Sequence, residues 1–408
     1  MKVSIEKVVF GGKGLSRLKE KVCFVPFTLP EEVVEVEIKE EKKSICEGFP
    51  VDVLEKNPYR VEPKCKYYMQ CGGCDFQHIN YEKQVEIKKE ILEETLQRIG
   101  KINKDTDKVI PSANPFNYRN RVQFKFDGKN FGFYKLKSNE VVDIESCDIA
   151  DKNINNLIPT LKNLAKNNPQ VEELHIFHHP DNKPMLKIVL KENLFMNIEN
   201  LLDTFAGIGV YIGNKRVKLE GKSFTFYRAG KFNYRVSIDS FFQVNKYQLE
   251  NIVDEVISEI PKDSQCIGDI YCGVGLFTLP ASKKAKKVFG IEASKSAVKD
   301  AQYNVKVHNI GNAKFYQKVV EKSADIIFGY NPDTLIFDPP RTGIPKNIIQ
   351  KLLQLKSLKR IIYVSCNPST ASRDINLLSE KFELKKVKLI DMFPQTHHIE
   401  SIFVLDKV

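Results

Sequence analysis

From about residue 246 to its end, short apolar runs alternate with stretches of helical spacing, without an obvious internal repeat. The runs fall at 266–271, 287–291, 314–320, 334–337, 360–364, 385–390 and 401–405. Few folds accept that pattern. Continuous apolar runs separated by helices read as buried parallel strands with crossover helices, which predicts a doubly wound α/β sheet. The last two runs are joined without a helix, so the final strand is expected to run antiparallel. In such sheets ligands collect outside the carboxyl ends of the strands. The residues that end each run are therefore the first candidates for chemistry.

The run at 360–364 ends in Ser365-Cys366-Asn367-Pro368, with the helix-start residues Ser369 and Thr370 beyond. Cys366 then sits in a tight turn at the carboxyl edge, where a thiol is a candidate nucleophile as well as a small apolar residue. The first run passes through Asp269 and Tyr271 into Cys272-Gly273-Val274-Gly275, and glycines there let a ligand approach the backbone. A full G-x-G-x-x-G is absent, since position 278 is Thr, so the turn suits a nucleoside ligand without a phosphate. Glu292 ends the second run, placed to accept hydrogen bonds from ribose hydroxyls. The fourth run ends in Asp338-Pro339-Pro340-Arg341, a rigid turn that can hold a carboxylate against the imide or amino group of a base. Glu400 closes an irregular, partly apolar segment that begins at Asp391 and lies at the same edge.

The first part of the chain is built differently. Residues 1–55 alternate short β-type runs (3–10, 22–27, 32–38, 49–54) with a Gly11-Gly12-Lys13-Gly14 turn, which predicts a small barrel of oligonucleotide-binding type. Next come Cys65, Cys71 and Cys74 at C-x5-C-x2-C spacing, with Gly72 and Gly73 in the bend. Thiols so spaced let a loop fold around a metal centre, zinc or iron–sulfur, and either usually takes four ligands. Cys147 is the fourth candidate and Cys46 its rival. A helix is expected at 84–99, ending at Gly100. Residues 115–245 read mainly as β structure, with Arg119 and Arg121 on a strand facing solvent or phosphate, and a hairpin turning at 180–184. The histidines at 175, 178 and 179 are given no role. The expected division is 1–55, a barrel; 56–245, a central domain with the metal centre; and 246–408, the catalytic sheet.

Composition adds exclusions. Nine cysteines in a chain without a signal-peptide core argue for a cytoplasmic protein rather than a disulfide framework. No apolar run reaches membrane-spanning length. The 63 Lys and Arg against 52 Asp and Glu leave a net charge of +11, compatible with a polyanionic partner.

Together these segments resemble the RNA uracil-5 methyltransferases. The resemblance is carried by Tyr363 through Pro368, Asp338-Pro339-Pro340-Arg341, Ser240-Phe241-Phe242-Gln243-Val244-Asn245, and the segment from Asp391 through Ser401. The thiol cluster and the barrel, which is TRAM-like, are similar to the iron–sulfur branch that modifies large-subunit (23S) ribosomal RNA. The resemblance implies a methyltransferase Rossmann-like sheet with S-adenosylmethionine contacts from Gln243, Tyr271, Glu292 and Asp338. It implies a 4Fe–4S cluster on Cys65, Cys71, Cys74 and Cys147, with Cys366 as nucleophile and Glu400 as base. The implied partner is RNA, ribosomal first and transfer RNA second, for a monomer without membrane attachment. Two other readings stand beside it. An amino-group methyltransferase would use the Asp-Pro-Pro turn but neither Cys366 nor Glu400; a catalytically silent RNA-binding scaffold would bind RNA without methyl transfer.

Overall fold

The structure is a computed structural model, and it describes residues 1–179, 182–192, 196 and 198–408 of the 408-residue chain. Residues 1–55 form a six-stranded, mostly antiparallel sheet in the order Lys2–Ser4, Val33–Glu41, Ile45–Glu55, Lys21–Pro26, Lys13–Leu18, Lys7–Val9. Val3, Ile5, Cys23, Val25, Val34 and Cys46 fill its core. The strand Lys13–Leu18 was not among the expected runs. Only Gly11 and Gly12, at φ +97° and +77°, make the turn; Gly14 lies in the strand, where a Cβ would come within 2.2 Å of Thr28. Cys46 belongs to this core and so drops out as a rival metal ligand. The buried Glu32 carboxylate accepts hydrogen bonds from Arg60 and from the backbone N–H of Leu29, fixing the sheet to the segment that follows.

A second sheet of seven strands spans 121–221. Its Val171–His179 and Asn182–Leu190 strands pair antiparallel, as the hairpin expectation requires; the tip at 180 and 181 lies outside the described residues. The segment is mainly β structure, as expected, and adds one helix that the sequence reading did not name, Lys152–Lys166. That helix lays Ile154, Ile158 and Leu161 on Phe124, Leu174 and Ile188. Arg121 is also corrected. It faces neither solvent nor an open phosphate surface but stacks on Phe177 at 4.1 Å and donates to the Ser240 carbonyl.

The catalytic sheet has eight strands, in the order Ala313–Gln317, Lys287–Glu292, Cys266–Ile270, Thr334–Phe337, Arg360–Ser365, Glu400–Lys407, Phe382–Ile390, Lys108–Ile110. The strand Glu400–Lys407 runs antiparallel to both neighbours, as expected. Alternate residues feed two cores: Leu335, Phe337, Ile361 and Tyr363 face one side, and Ile336, Ile362 and Val364 the other. Part of the 56–245 segment is built into this sheet. Lys108–Ile110 is its edge strand, parallel to Phe382–Ile390. The helix Tyr81–Thr95 packs Val85, Ile87, Ile91 and Leu92 into the first of those cores. It continues through a π turn to Gly100, where Lys101 caps it in the left-handed region. Among the described residues no helix is long and apolar enough to cross a membrane.

Candidate active site

The strand order reverses between Cys266–Ile270 and Thr334–Phe337, and crossovers leaving in opposite directions open a crevice at such a switch point. A pocket of about 840 Å³ lies there. Its walls include Gln243, Tyr271, Glu292, Asp338, Cys366 and Glu400, all named from the sequence. Wall residues without a contact role from the sequence include Arg119, Phe241, Arg341 and His398. Phe241 is 65% exposed although its neighbour Phe242 is core. An unpaired large aromatic at a pocket mouth is a signal that only the structure displays.

Each side chain is held locally. The apolar strand Arg360–Ser365 delivers Cys366 to the edge, and the helix Pro368–Leu378 starts at once. The Asn367 side chain caps that helix by accepting from the N–H of Ser369 and Thr370, and Ser365 Oγ accepts from Asn367 N–H. Asn367 and Thr370 side chains both donate to the Arg341 carbonyl, so the Cys366 turn and the Asp338 turn are one braced unit. On the nucleoside side, Tyr271 takes φ +67° and Gly273 φ +53°. The Glu292 carboxylate accepts from the N–H of Gly273 and Ser294 at 3.1 and 2.7 Å. Gln243 lies in the 240–245 segment, whose ends are fixed by Ser240 on Asp300 and by Asn245 on the Met392 carbonyl.

The electrostatics are those of a dry, acidic site. Burial, with Asp269 nearby, raises the Asp338 carboxyl to about 7. Burial and then Asp338 push Glu400 well above the carboxylate range. Burial, followed by Glu400 and Asp338, raises the Cys366 thiol to about 11, with Arg341 opposing. Burial holds His398 neutral, down at about 3. A neutral thiol therefore faces two carboxyls that share the cost of ionisation. A cationic ligand in the pocket would favour the ionised form of all three.

The segment between the last two strands takes its partners from the far end of the chain. Lys88 and Asp391 form a fully buried ion pair at 2.6 Å, and Tyr81 also donates to Asp391. Gln84 exchanges two hydrogen bonds with Gln395.

Cys65, Cys71 and Cys74, the three thiols of the C-x5-C-x2-C loop, line a cavity of about 60 Å³ together with the fourth candidate, Cys147. All four are free thiols. Among the described residues no group of three or more His, Cys, Asp or Glu converges closely enough to hold a single metal ion. Arg119 lines both this cavity and the large pocket.

The fold is that of the S-adenosylmethionine-dependent methyltransferases, and a solved relative carries it from end to end. The Pyrococcus abyssi tRNA (uracil-54, C5)-methyltransferase, solved with S-adenosyl-L-homocysteine, is 27% identical, with a TM-score of 0.80 over 99% of this chain and 100% of that one. Residues 225–408 match the tRNA (uracil-5-)-methyltransferase family, and residues 1–48 match the TRAM domain. An uncharacterized RNA methyltransferase of Aquifex aeolicus is 42% identical over 100% of this chain and 98% of its own length. Another, of Fusobacterium nucleatum, is 33% identical over 100% and 96%. The chain belongs to the tRNA (uracil-5-)-methyltransferase family. It is an S-adenosylmethionine-dependent RNA uracil-5 methyltransferase.

Proposed function

We propose that the enzyme methylates C5 of one uridine in a folded RNA through a covalent bond between Cys366 Sγ and C6. The observation that carries this reading is the meeting of Cys366, Asp338 and Glu400 in one pocket. Uracil C5 is a poor nucleophile until a thiolate adds to C6 and returns electron density to C5. Asp338 and Glu400 are the bases within the site's field that can take the thiol proton. S-adenosylmethionine, when bound, supplies an electrophilic methyl group. Gln243, Tyr271, Glu292 and Asp338 share one pocket of about 840 Å³ with Cys366 and Glu400, a volume that supports the reading of a nucleoside cofactor beside a base. Glu400 then removes the C5 proton, the Cys366–C6 bond breaks, and the electron pair returns to sulfur.

The two residues are separated by their place in the sequence of bonds. Cys366→Ala is expected to abolish both methyl transfer and any protein–RNA adduct. Glu400→Gln is expected to form the thioether, methylate C5 and stall as a conjugate stable to denaturing gel electrophoresis. Near-normal turnover by Cys366→Ala would refute the covalent mechanism.

The four thiols suit a 4Fe–4S cluster better than zinc. That reading rests on the family resemblance of the C-x5-C-x2-C loop with Cys147, since thiolates alone serve zinc and iron–sulfur equally. For the target, the barrel and thiol cluster support large-subunit ribosomal RNA. Transfer RNA is a second reading, favoured by the full-length likeness to the Pyrococcus abyssi enzyme.

A further inference from the structure

His397 lies one residue outside the pocket wall, yet three parts of the chain converge on it. Asp75, next to the thiol Cys74, accepts the His397 backbone N–H at 2.6 Å on one carboxylate oxygen. Its other oxygen is 2.5 Å from His397 Nδ1. From the barrel, the Gly11-Gly12 turn also packs against His397. A Cβ on Gly12 would stand 2.7 Å from the His397 Cβ. The His397 ring packs 4.4 Å from that of His398, which lines the pocket beside Glu400. The N–H of Asp75 and of Phe76 both donate to the Gln395 carbonyl, so the thiol loop grips this segment at two points, just ahead of Glu400.

We propose that Asp75 is a positioning residue for the proton-removal step: by clamping His397 it sets the approach of Glu400 to the substrate, and it ties that approach to the order of the thiol loop and the barrel. This rests on the roles of Cys366 and Glu400 given above. Cys366 and Asp338 stand on other strand ends, braced by Asn367 and Thr370, and the bonds of the Asp75 carboxylate and N–H go to His397 and Gln395 instead. Bond formation at C6 and methyl transfer therefore survive loss of the clamp, and only release of the adduct slows.

The test uses the full chain with its RNA and S-adenosylmethionine. In Asp75→Ala, one methyl group per enzyme is expected to transfer at close to the normal rate, while steady-state turnover falls about tenfold. The protein–RNA conjugate is expected to persist on a denaturing gel. Asp75→Asn keeps an acceptor for the backbone N–H and is expected to restore most of the turnover. His397→Ala removes the ring but keeps the backbone bond, and is expected to show a weaker form of the same trap; it carries the test if Asp75→Ala does not fold. Glu400→Gln is run alongside. If it fails to trap a conjugate, the mechanism itself falls; if it traps one while folded Asp75→Ala turns over normally, or loses transfer and conjugate together, the positioning role is overturned.

Discussion

Asp269 shows how far a single carboxyl can be pushed when the site is dry. It is fully buried under the first strand's turn, takes one hydrogen bond from Thr278 Oγ1, and has a second oxygen without a partner. Burial raises it to about 7. Between the unfolded value of about 4 and 7, the folded chain holds a proton that the unfolded chain has lost. Stability therefore falls as pH rises through that window and levels off above it. Asp269→Asn keeps an acceptor for Thr278 and removes the titration. Its melting temperature is expected to match wild type near pH 4 and to exceed it at pH 8, by about 1 °C for each kcal/mol gained in a chain of this length. Thermal unfolding at the two pH values checks this. Residues at strand ends, such as Cys366 and Asp338, were legible because a run of apolar residues followed by a turn signature marks the carboxyl edge directly. Asp269 was quoted only as part of a motif, since its isolation depends on what the fold stacks over it.

At the scale of elements, the helix Tyr81–Thr95 is a buttress. Its Lys88 is 0% exposed and its partner Asp391 equally so. Removing one member of such a pair leaves an unpaired buried charge, so Lys88→Met is expected to lower unfolding free energy by about 3–5 kcal/mol. Adding Asp391→Leu should recover much of it; denaturant titration of the single and double variants reads both. The thiol loop is the second element with a direct test. Anaerobically purified protein is expected to contain iron and sulfide, and Cys71→Ser to lose most of both; stoichiometric zinc without iron would defeat the cluster. The helix at 84–99 was legible from apolar spacing. The helix Lys152–Lys166 was not, because Pro159 and its asparagines hide a four-residue apolar stripe. The strand Lys108–Ile110 was hidden for another reason: three residues carry no period, and only a distant edge makes them a strand.

Taken whole, the described residues form four sheets, with the pocket at the carboxyl edge of the eight-stranded one and the barrel and thiol loop packed on the segment that leads to Glu400. That arrangement favours a structured RNA touching several parts at once. Large-subunit ribosomal RNA fragments are expected to accept methyl groups about tenfold better than transfer RNA, a difference of about 1.4 kcal/mol. A competition assay with labelled methyl donor measures it, and the reverse preference would exchange the two readings of the target. The alternation of strands and helices made the catalytic sheet legible. Which earlier residues complete it was not, since pairing between distant segments leaves no local pattern.

The edge strand has a consequence for how the protein is made. Asp107 and Val387, which bond across that edge, are separated by 280 residues. A ribosome adding roughly 5–20 residues per second takes on the order of 15 to 60 s to cover that interval. During it, the preceding helix can rest on Val8 and Leu29 of the barrel, but the core it shares with the late strands stays incomplete. The nascent chain is thus expected to hold part of that core open until its last segment is made, and to be a client for chaperones meanwhile. It also gives two neighbouring chains on one message the chance to exchange this segment before either is finished.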